Sequence, residues 1–356
     1  MKADTRQRFD SVDALRGITV AAMLLVNNPG DWGHVYAPLL HAEWNGCTPA
    51  DLVFPFFLFI VGVSIALGIV PRVEADADLA ALRRAVILRA AKIVCLGLLL
   101  HLLAFWLMDM PAFRPWGVLQ RIGLCFAAAG LLATLTRAKT QWTITALLLL
   151  GYWALLVAGG SLAPWDNLAS RIDTALLGPM VYQFDAASGR GHDPEGLLST
   201  LPAIATTLLG VRAGQWLRDG DRKRLLSAAA IALLAGFAWS QWLPFNKNLW
   251  SSSFVLWTAG WAMLTLVACH VLIDEKKWPA LGRRFGINAI AAYVGSTAMV
   301  YLFAGVWEPV YRAGFSGWMT PRFGPYLPSL LFALTFVAVW WGVVRWMDHR
   351  GWYLKL

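Results

Sequence analysis

Charged residues are scarce in this sequence. Only 14% of its 356 residues are Asp, Glu, Lys or Arg, and 58% are hydrophobic, whereas about a quarter of a soluble globular chain is charged. This scarcity excludes an ordinary soluble domain. The net charge of +9 does not indicate nucleic-acid binding, because the basic residues fall between apolar runs rather than on one basic face. We therefore predict an all-α polytopic membrane protein, with the lipid bilayer as a partner and no nucleic acid.

Cysteine and the familiar cofactor motifs are also lacking. The four cysteines show no CxxC pair, and three of them lie inside apolar runs, so we expect no structural disulfide and no zinc site. HExxH, GxxxxGK[ST] and GxGxxG are absent, which argues against a metal centre or a nucleotide-binding loop of those types. The first apolar run ends in Asn-Asn-Pro-Gly rather than in a small-residue cleavage site, so no cleavable signal peptide is expected.

Long apolar runs fill most of the chain. By apolar length we predict about ten transmembrane helices in a single domain, residues 1–356. They are 12–30, 50–70, 84–108, 115–136, 141–160, 197–217, 223–243, 250–273, 286–306 and 326–347. The connection 161–196 is too polar to span a membrane and too long for a plain turn, so it is a candidate lid over one end of the bundle.

Lys and Arg set the predicted orientation, because they favour cytoplasmic connections. With the N-terminus inside, the inner segments carry most of these residues. They include Lys2, Arg6, Arg8, Arg16, Arg72, Arg83, Arg84, Arg137, Lys139, Arg218, Arg222, Lys223, Arg224, Lys276, Lys277, Arg283, Arg284, Arg345, Arg350 and Lys355. An even number of spans returns the C-terminus to the same side. Both termini are therefore predicted to be cytoplasmic, and 161–196 extracytoplasmic.

The segment Leu40–Gly62 (LHAEWNGCTPADLVFPFFLFIVG) combines a polar cluster with the start of a long apolar run. Its first half holds the candidate site residues His41, Glu43, Trp44, Asn45 and Asp51. Polar groups at the mouth of a membrane helix cost free energy unless they are paired or face water. A plain helix start, with Thr48 or Asp51 as the N-cap, explains part of the pattern equally well. The site reading and the capping reading stay open at this point.

Other spans carry polar residues that need partners. Asp13 and Arg16 lie three residues apart and can pair on one helix, while Asn27 stands about 21 Å further along that helix. Gln120 and Arg121 lie inside an apolar run, where an arginine either faces a partner, a cavity or an anion, or snorkels to the interface. At the inner end, the basic side chains of Arg283 and Arg284 can hold phosphates.

Several blocks together resemble one family. SVDALRG, LLVN and HAEWNGCTPADLVFPFFLFIVG are similar to the catalytic region of heparan-α-glucosaminide N-acetyltransferase and its bacterial relatives. The likeness continues through GVLQRIG, DPEGLLSTLPAIATTLLGVRAGQWL, NKNLWSSSFVLWTAG and GINAIAAYVG, and covers nearly the whole chain. It implies a homodimeric enzyme of a bacterial inner membrane that moves an acetyl group from cytosolic acetyl-CoA to the amino group of an extracytoplasmic amino sugar.

The resemblance also suggests roles for particular residues. His41 matches the family's catalytic histidine and Asn27 its asparagine, and the site then lies near the periplasmic side. Candidate acceptor contacts are Glu43, Trp44, Asn45, Asp51 and Asn248. Candidate coenzyme A contacts are Arg16, Gln120, Arg121, Arg283, Arg284 and Asn288.

The chemistry is left open in two ways. His41 either carries the acetyl group or acts only as a base, with Asp51 or Glu43 holding its ring N–H. An amino-sugar transporter and a polysaccharide O-acetyltransferase remain alternatives. The transporter is less favoured, because the deep spans are poor in Asp and Glu and no repeat is evident.

Overall fold

The computed structural model describes residues 9–75 and 77–354. Lys2, Arg6, Arg8 and Lys355, which contribute to the predicted orientation, lie outside the described residues. The described chain is mainly helical. Its helices are α1 (Asp10–Asn27), α2 (Pro49–Gly68), α3 (Val70–Glu74), α4 (Leu79–Leu107), α5 (Val118–Leu135), α6 (Ala138–Ala158), α7 (Leu168–Leu177), α8 (Thr200–Arg218), α9 (Arg222–Trp239), α10 (Ser252–Cys269), α11 (Arg283–Ile287), α12 (Ala289–Leu302), α13 (Ala304–Tyr311), α14 (Gly317–Phe323) and α15 (Tyr326–His349).

Smaller elements complete the chain. Two three-residue strands, β1 (Gln183–Asp185) and β2 (Arg190–His192), pair antiparallel in the long connection. Short 3₁₀ segments lie at Ala37–Leu39 and Gly178–Met180, and π-helical turns at His270–Glu275 and Arg312–Ser316. The connection 161–196 is thus an ordered cap of one helix and one hairpin, which we call the cap.

Six helical stretches of the described chain are long and apolar enough to cross a membrane, or seven if one bent pair counts as a span. The bent pair joins Ala289–Leu302 to Ala304–Phe323 at 85°, so the predicted continuous span 286–306 is interrupted at Phe303. Predicted spans 12–30, 197–217 and 223–243 fold as helices α1, α8 and α9. Each of α1 and α9 includes three charged residues, and α8 contains Arg212 and Arg218. The chain is an integral membrane protein, while the count of ten and the orientation stay predictions.

Helices α2 and α8 pack backbone against backbone at the centre of the bundle. A Cβ placed on Gly62 would lie 2.0 Å from the carbonyl oxygen of Thr207, and one on Gly210 would lie 2.0 Å from that of Phe59. Such close approach is possible only for glycine, and small residues commonly allow it between membrane helices. This contact fixes the position of α2, whose first turn carries Asp51.

The bundle has two chemically different ends. His41 and the cap lie at one end of the bundle, where α1 and α4 end and α2, α5 and α10 begin. We call this the His41 end. Several arginine ion pairs join helix ends at the other side, which we call the arginine end: Arg218–Glu74 at 2.8 Å, Arg222–Glu275 at 3.1 Å and Arg283–Asp10 at 2.9 Å.

Substituting Gly62→Ala should lower the thermal stability of the detergent-solubilised protein, because the added methyl group must displace the α8 backbone. Overpacking of this kind typically costs about 1–3 kcal/mol. Gly151→Ala on α6 is the matched control, since nothing lies within 4 Å of its Cβ position. Equal melting temperatures for the two variants would show that the α2–α8 contact is looser than described.

Candidate functional site

The site is built on the first turn of α2. Thr48 is the N-cap in extended conformation and Pro49 occupies the first helical position, where its missing N–H is not needed. The Asp51 carboxylate accepts hydrogen bonds from the backbone N–H of Thr48 at 3.0 Å and from its hydroxyl at 3.1 Å. The backbone N–H of Ala42 adds a third at 3.1 Å. The helix start predicted from the sequence is therefore confirmed. The same carboxylate also binds the backbone of the polar loop that precedes the helix.

His41 is held by that buried carboxylate. Its Nδ1 lies 2.8 Å from Oδ1 of Asp51, and the two side chains are 40% and 1% exposed. An ionised carboxylate only accepts hydrogen bonds, so Nδ1 carries the proton and Nε2 keeps a free lone pair. Of the two carboxylates considered from the sequence, Asp51 contacts His41, whereas Glu43 is exposed. The ring is thus oriented as a base or nucleophile facing the open side.

Lys247 lies against the same imidazole. Its Nζ is 3.2 Å from Nδ1 and 3.1 Å from Nε2 of His41, and 3.9 Å from Oδ1 of Asp51. Two contacts fasten its loop to the His41 loop. The N–H of Gly46 donates to the carbonyl of Phe245 at 2.7 Å, and Asn246 donates to the side-chain oxygen of Asn45 at 3.1 Å. Burial lowers the pKa of Lys247 from 10.5, although Asp51 and Glu195 oppose that shift.

The cap closes over one side of the site through Trp44. The indole N–H of Trp44 donates to the carbonyl of Leu162 at 2.8 Å, and its ring meets that of His192 edge to face at 5.2 Å. The His192 ring is buried and exchanges a hydrogen bond of 2.9 Å with the Ser170 hydroxyl. Trp44 therefore positions the cap, with only part of its indole left for an acceptor.

Half-buried Arg114 fixes the base of the cap. Arg114 bonds both carboxylates of the segment after β2, Asp193 at 2.5 Å and Glu195 at 2.7 Å. Such charge-assisted bonds are among the strongest in proteins. The cap is consequently a packed part of the fold at the His41 end rather than a loose loop.

Arg121 is completely buried, which excludes the snorkelling alternative. It donates to the carbonyl of Gly196 at 3.1 Å and to the hydroxyl of Ser199. Its guanidinium also stands 5.1 Å from the ring centre of Trp250. Its Nε and Nη1 atoms, and both polar side-chain atoms of Gln120, are buried without a partner among the described residues. Such groups are costly in a low-dielectric interior, so this layer has unused capacity for a polar ligand.

A cavity of about 520 Å³ lies within the bundle, and Leu119, the residue before Gln120, is among those that line it. At the arginine end it is lined by Arg16, Arg72 and Arg89, and toward the His41 end by Phe57, Val118 and Tyr293, among others. Phe57 lies six residues, or about 9 Å, along α2 from Asp51. The cavity has a typical volume for a small-molecule site and combines a cationic mouth with an apolar interior.

Of the six candidate coenzyme A residues, all within the described chain, Arg16 alone lines this cavity. Arg16 lines it while bonded to Asp13 at 3.1 Å, as the i,i+3 spacing predicts, and to Ser64 at 3.0 Å. Asn288 is buried next to the lining residues Ile287 and Ala289, and both its polar side-chain atoms lack hydrogen-bond partners within the described chain. In contrast, Arg283 pairs with Asp10 and Arg284 with Asp348.

Two other predicted residues have fewer contacts. Asn27 is the exposed last residue of α1, at the His41 end. Asn248 is half-buried beside Lys247. Within the described part of the chain, neither side chain has a hydrogen bond. No group of three or more His, Cys, Asp or Glu side chains among the described residues is arranged to hold a metal.

Sequence reasoning missed Lys247, Glu195 and the cavity arginines Arg72 and Arg89. Lys247 counted only as one basic residue of a connection. A usable signal was present, because its NKN loop lies between two apolar runs on the same predicted side as His41. Arg72 and Arg89 gave no signal beyond the general bias of basic residues, since only the folding of the chain brings α3, which carries Arg72, and α4, which carries Arg89, to one cavity.

The chain is similar to known proteins over most of its length. Residues 8–243 match the family model described as heparan-alpha-glucosaminide N-acetyltransferase, catalytic. Two curated relatives carry the name heparan-alpha-glucosaminide N-acetyltransferase. The mouse protein is 28% identical over 86% of this chain, and the human protein 29% identical over 85%. The alignments take in 56% and 54% of those relatives, so the chain spans about half the length of the curated relatives it matches.

Two buried groups in the cap should titrate with opposite effects. Burial lowers the pKa of His192 from 6.5 to about 4 and raises that of Asp173 from 3.8 to about 6. The folded cap favours the neutral form of His192, so acidification from pH 6.5 to 4, which protonates this ring, weakens the cap. The folded cap also favours the protonated, uncharged form of Asp173, so acidification over a similar range strengthens the cap. Each effect is worth roughly 3 kcal/mol at most, and the two largely offset one another.

Single variants should uncover each effect. In Asp173→Asn, hydrogen exchange of residues 181–196, corrected for intrinsic rates, should accelerate as the pH falls from 6.5 to 4. In His192→Asn it should slow between pH 6 and 4. His34→Asn, at an exposed histidine outside the cap, should match the wild-type protein. The same pH profile in all four proteins would show that neither group controls the cap.

Proposed function

The chain belongs to the heparan-alpha-glucosaminide N-acetyltransferase catalytic family, and we propose that it transfers the acetyl group of acetyl-CoA to the amino group of an amino sugar. The observation that carries this proposal is the His41–Asp51 pair at the His41 end of the bundle, in which the carboxylate contacts Nδ1 rather than Nε2 of the ring. Glucosamine, or a glucosaminide released from a glycan, is the smallest acceptor of this class. Because the chain spans only part of the named relatives, their substrates are proposed for it rather than assigned.

His41 supplies the reactive nitrogen. Asp51 accepts a hydrogen bond from the protonated Nδ1, so Nε2 is the nitrogen that removes a proton from the attacking amine or attacks the thioester carbonyl itself. In the first route both substrates are bound together, and in the second an acetyl-imidazole forms and the kinetics are ping-pong. Asp51 supports both routes, because it fixes the tautomer and stabilises the imidazolium that forms.

Negative charge develops on the thioester oxygen, and hydrogen-bond donors must meet it. We assign this role to the amide of Asn27, which stands at the His41 end, together with the ammonium group of Lys247 beside Nε2. Loss of one such donor typically lowers the rate by about 10²–10³-fold.

Acetyl-CoA fits the central cavity by charge and shape. The arginine end of the cavity suits the phosphates of the coenzyme, through Arg16, Arg72 and Arg89. The part lined by Phe57, Val118 and other apolar residues suits the pantetheine arm. Gln120 and Asn288, whose side-chain amides have no partner among the described residues, suit its two amide groups, and Arg121 follows Gln120 in the same helix. The acetyl group then approaches Asp51 and His41 from the side of the cavity.

The acceptor binds on the exposed side of His41. Glu43 and Asn45 are exposed there and suit the ammonium and hydroxyl groups of a sugar. Asn248 lies on the neighbouring loop, and the indole face of Trp44 suits stacking on a sugar ring. This arrangement places the two substrates on opposite sides of His41.

The arrangement in the membrane follows from the same proposal. The arginine end faces the cytosol, where acetyl-CoA is made, and the His41 end faces the periplasm of a bacterial inner membrane. Both termini are cytoplasmic, ten helices cross the bilayer, and the protein is a homodimer. We further propose that residues 1–356 act as one domain. Light scattering of the detergent-solubilised protein measures its mass and so tests whether it is a dimer.

His41→Ala should abolish acetyl transfer from acetyl-CoA to glucosamine, and Asp51→Asn should slow it by about 10²–10⁴-fold. N-acetylglucosamine formation and thiol release are measured together on purified protein. His34→Ala is the matched control, because His34 also pairs with an aspartate, Asp31 at 2.6 Å, at the same end. Near wild-type transfer by His41→Ala would refute the assignment. A product that mild base cleaves would instead identify an O-ester.

The cavity arginines should set the affinity for acetyl-CoA. Arg89→Gln or Arg72→Gln should raise KM for acetyl-CoA about 10–100-fold, the cost of one charge-assisted hydrogen bond, with little change in KM for glucosamine. Arg283→Gln should leave both constants unchanged, because that side chain pairs with Asp10. The reverse pattern would place the phosphates at Arg283 and Arg284.

A further inference from the structure

Lys247 is a primary amine inside the site and not at its edge. Its side chain is 19% exposed, and its Nζ lies 3.1 Å from Nε2 of His41. The surrounding charged and titratable groups are His41, Asp51, Glu195, Arg121 and Cys47. Any acetyl group that comes within reach of Nε2 is therefore also within reach of Nζ.

The position of Nζ leaves Nε2 accessible. The two ring nitrogens are nearly equidistant from Nζ, at 3.2 and 3.1 Å. In the ring plane such a point would collide with the ring carbons, so Nζ lies over the face of the imidazole. The in-plane lone pair of Nε2 is therefore not directed at Nζ, and the His41 side chain is 40% exposed.

Lys247 and the acceptor are chemically alike. An amino sugar reacts through an uncharged primary amine, and Lys247 carries the same group on a four-carbon stem. Burial lowers the pKa of Lys247, which enlarges the fraction of reactive neutral amine. Cys47, the nearest thiol, is a poor competitor, since burial raises its pKa to about 12 and keeps it protonated.

We propose that Lys247 is a self-acetylation site, modified by bound acetyl-CoA when no amino sugar occupies the acceptor side. This inference rests on the proposed function, because it requires acetyl-CoA at His41. Nζ attacks the thioester carbonyl carbon, the C–N bond forms and the C–S bond breaks. The coenzyme leaves as a thiolate and takes up, through Nε2 of His41, the proton that Nζ releases. If His41 carries the acetyl group, Nζ attacks that group and the bond to Nε2 breaks.

The modification inactivates the enzyme. An acetyl-lysine amide has no charge, so Asp51 loses the cation 3.9 Å away and the developing oxyanion loses a donor. The added acetyl group also occupies the space over the imidazole. The enzyme consequently switches itself off when acetyl-CoA is plentiful and the acceptor is lacking.

Peptide mass mapping of the intact protein tests the proposal directly. Wild-type protein in detergent is incubated with acetyl-CoA, with or without excess glucosamine, and the acetylated fraction of each lysine is followed over time. Without glucosamine, Lys247 should react roughly 10²-fold or more faster than the exposed Lys276 and Lys277, because oriented groups have high effective concentrations. Glucosamine should suppress the reaction at Lys247 alone.

Activity after preincubation gives a second readout. Wild-type protein should lose transfer activity in proportion to the acetylated fraction of Lys247. Lys247→Arg keeps the positive charge but does not present a reactive amine, so whatever transfer activity it retains should not decline.

Two outcomes would contradict the proposal. If the enzyme acetylates glucosamine while Lys247 is modified no faster than Lys276, self-acetylation is wrong and the proposed function stands. If glucosamine is not acetylated and Lys247 stays unmodified, the proposed function fails and this inference fails with it.

Discussion

The buried carboxylate of Asp51 both caps the start of α2 and holds the candidate catalytic histidine. It accepts the N–H of Thr48 at the start of α2 and the ring N–H of His41 ten residues earlier. A buried carboxylate is stable only when its oxygens are satisfied, so the loop before α2 cannot move without exposing an uncompensated charge. Close packing of Gly62 and Gly210 fixes the helix behind it. The position of His41 therefore depends on a capping interaction at one end of α2 and a backbone contact in its middle.

Three segments far apart in sequence converge on this helix start. The 244–251 loop brings Lys247 over the imidazole, the cap is fastened through Trp44, and Arg114 binds Asp193 and Glu195 beneath the cap. The cavity with Arg16, Arg72 and Arg89 approaches from the opposite end. A cationic mouth and a base held at separate ends suit a reaction whose two substrates come from different sides of a membrane.

Much of this arrangement is predictable from local sequence. The Thr48–Pro49–Asp51 helix start, the pairing of Asp13 with Arg16, and the helical character of the apolar runs all follow from short-range rules. The contact of Asp51 with His41 was one of two options. The roles of Lys247 and the cavity arginines depend on contacts between residues more than fifty positions apart. Helix periodicity in the sequence does not reveal such contacts. The break at Phe303 was missed because hydropathy does not detect a bend between two apolar helices.

Proteoliposomes test the central claim, that acetyl-CoA at the arginine end and an amino sugar at the His41 end react across the bilayer. Acetyl-CoA is supplied only to one side of the membrane and glucosamine only to the other. Transfer is expected from those protein molecules whose arginine end faces the acetyl-CoA. The account predicts free thiol on the acetyl-CoA side and N-acetylglucosamine on the glucosamine side, in equal amounts. Product formed only when both substrates share one side, or labelled glucosamine carried across unchanged, would contradict it.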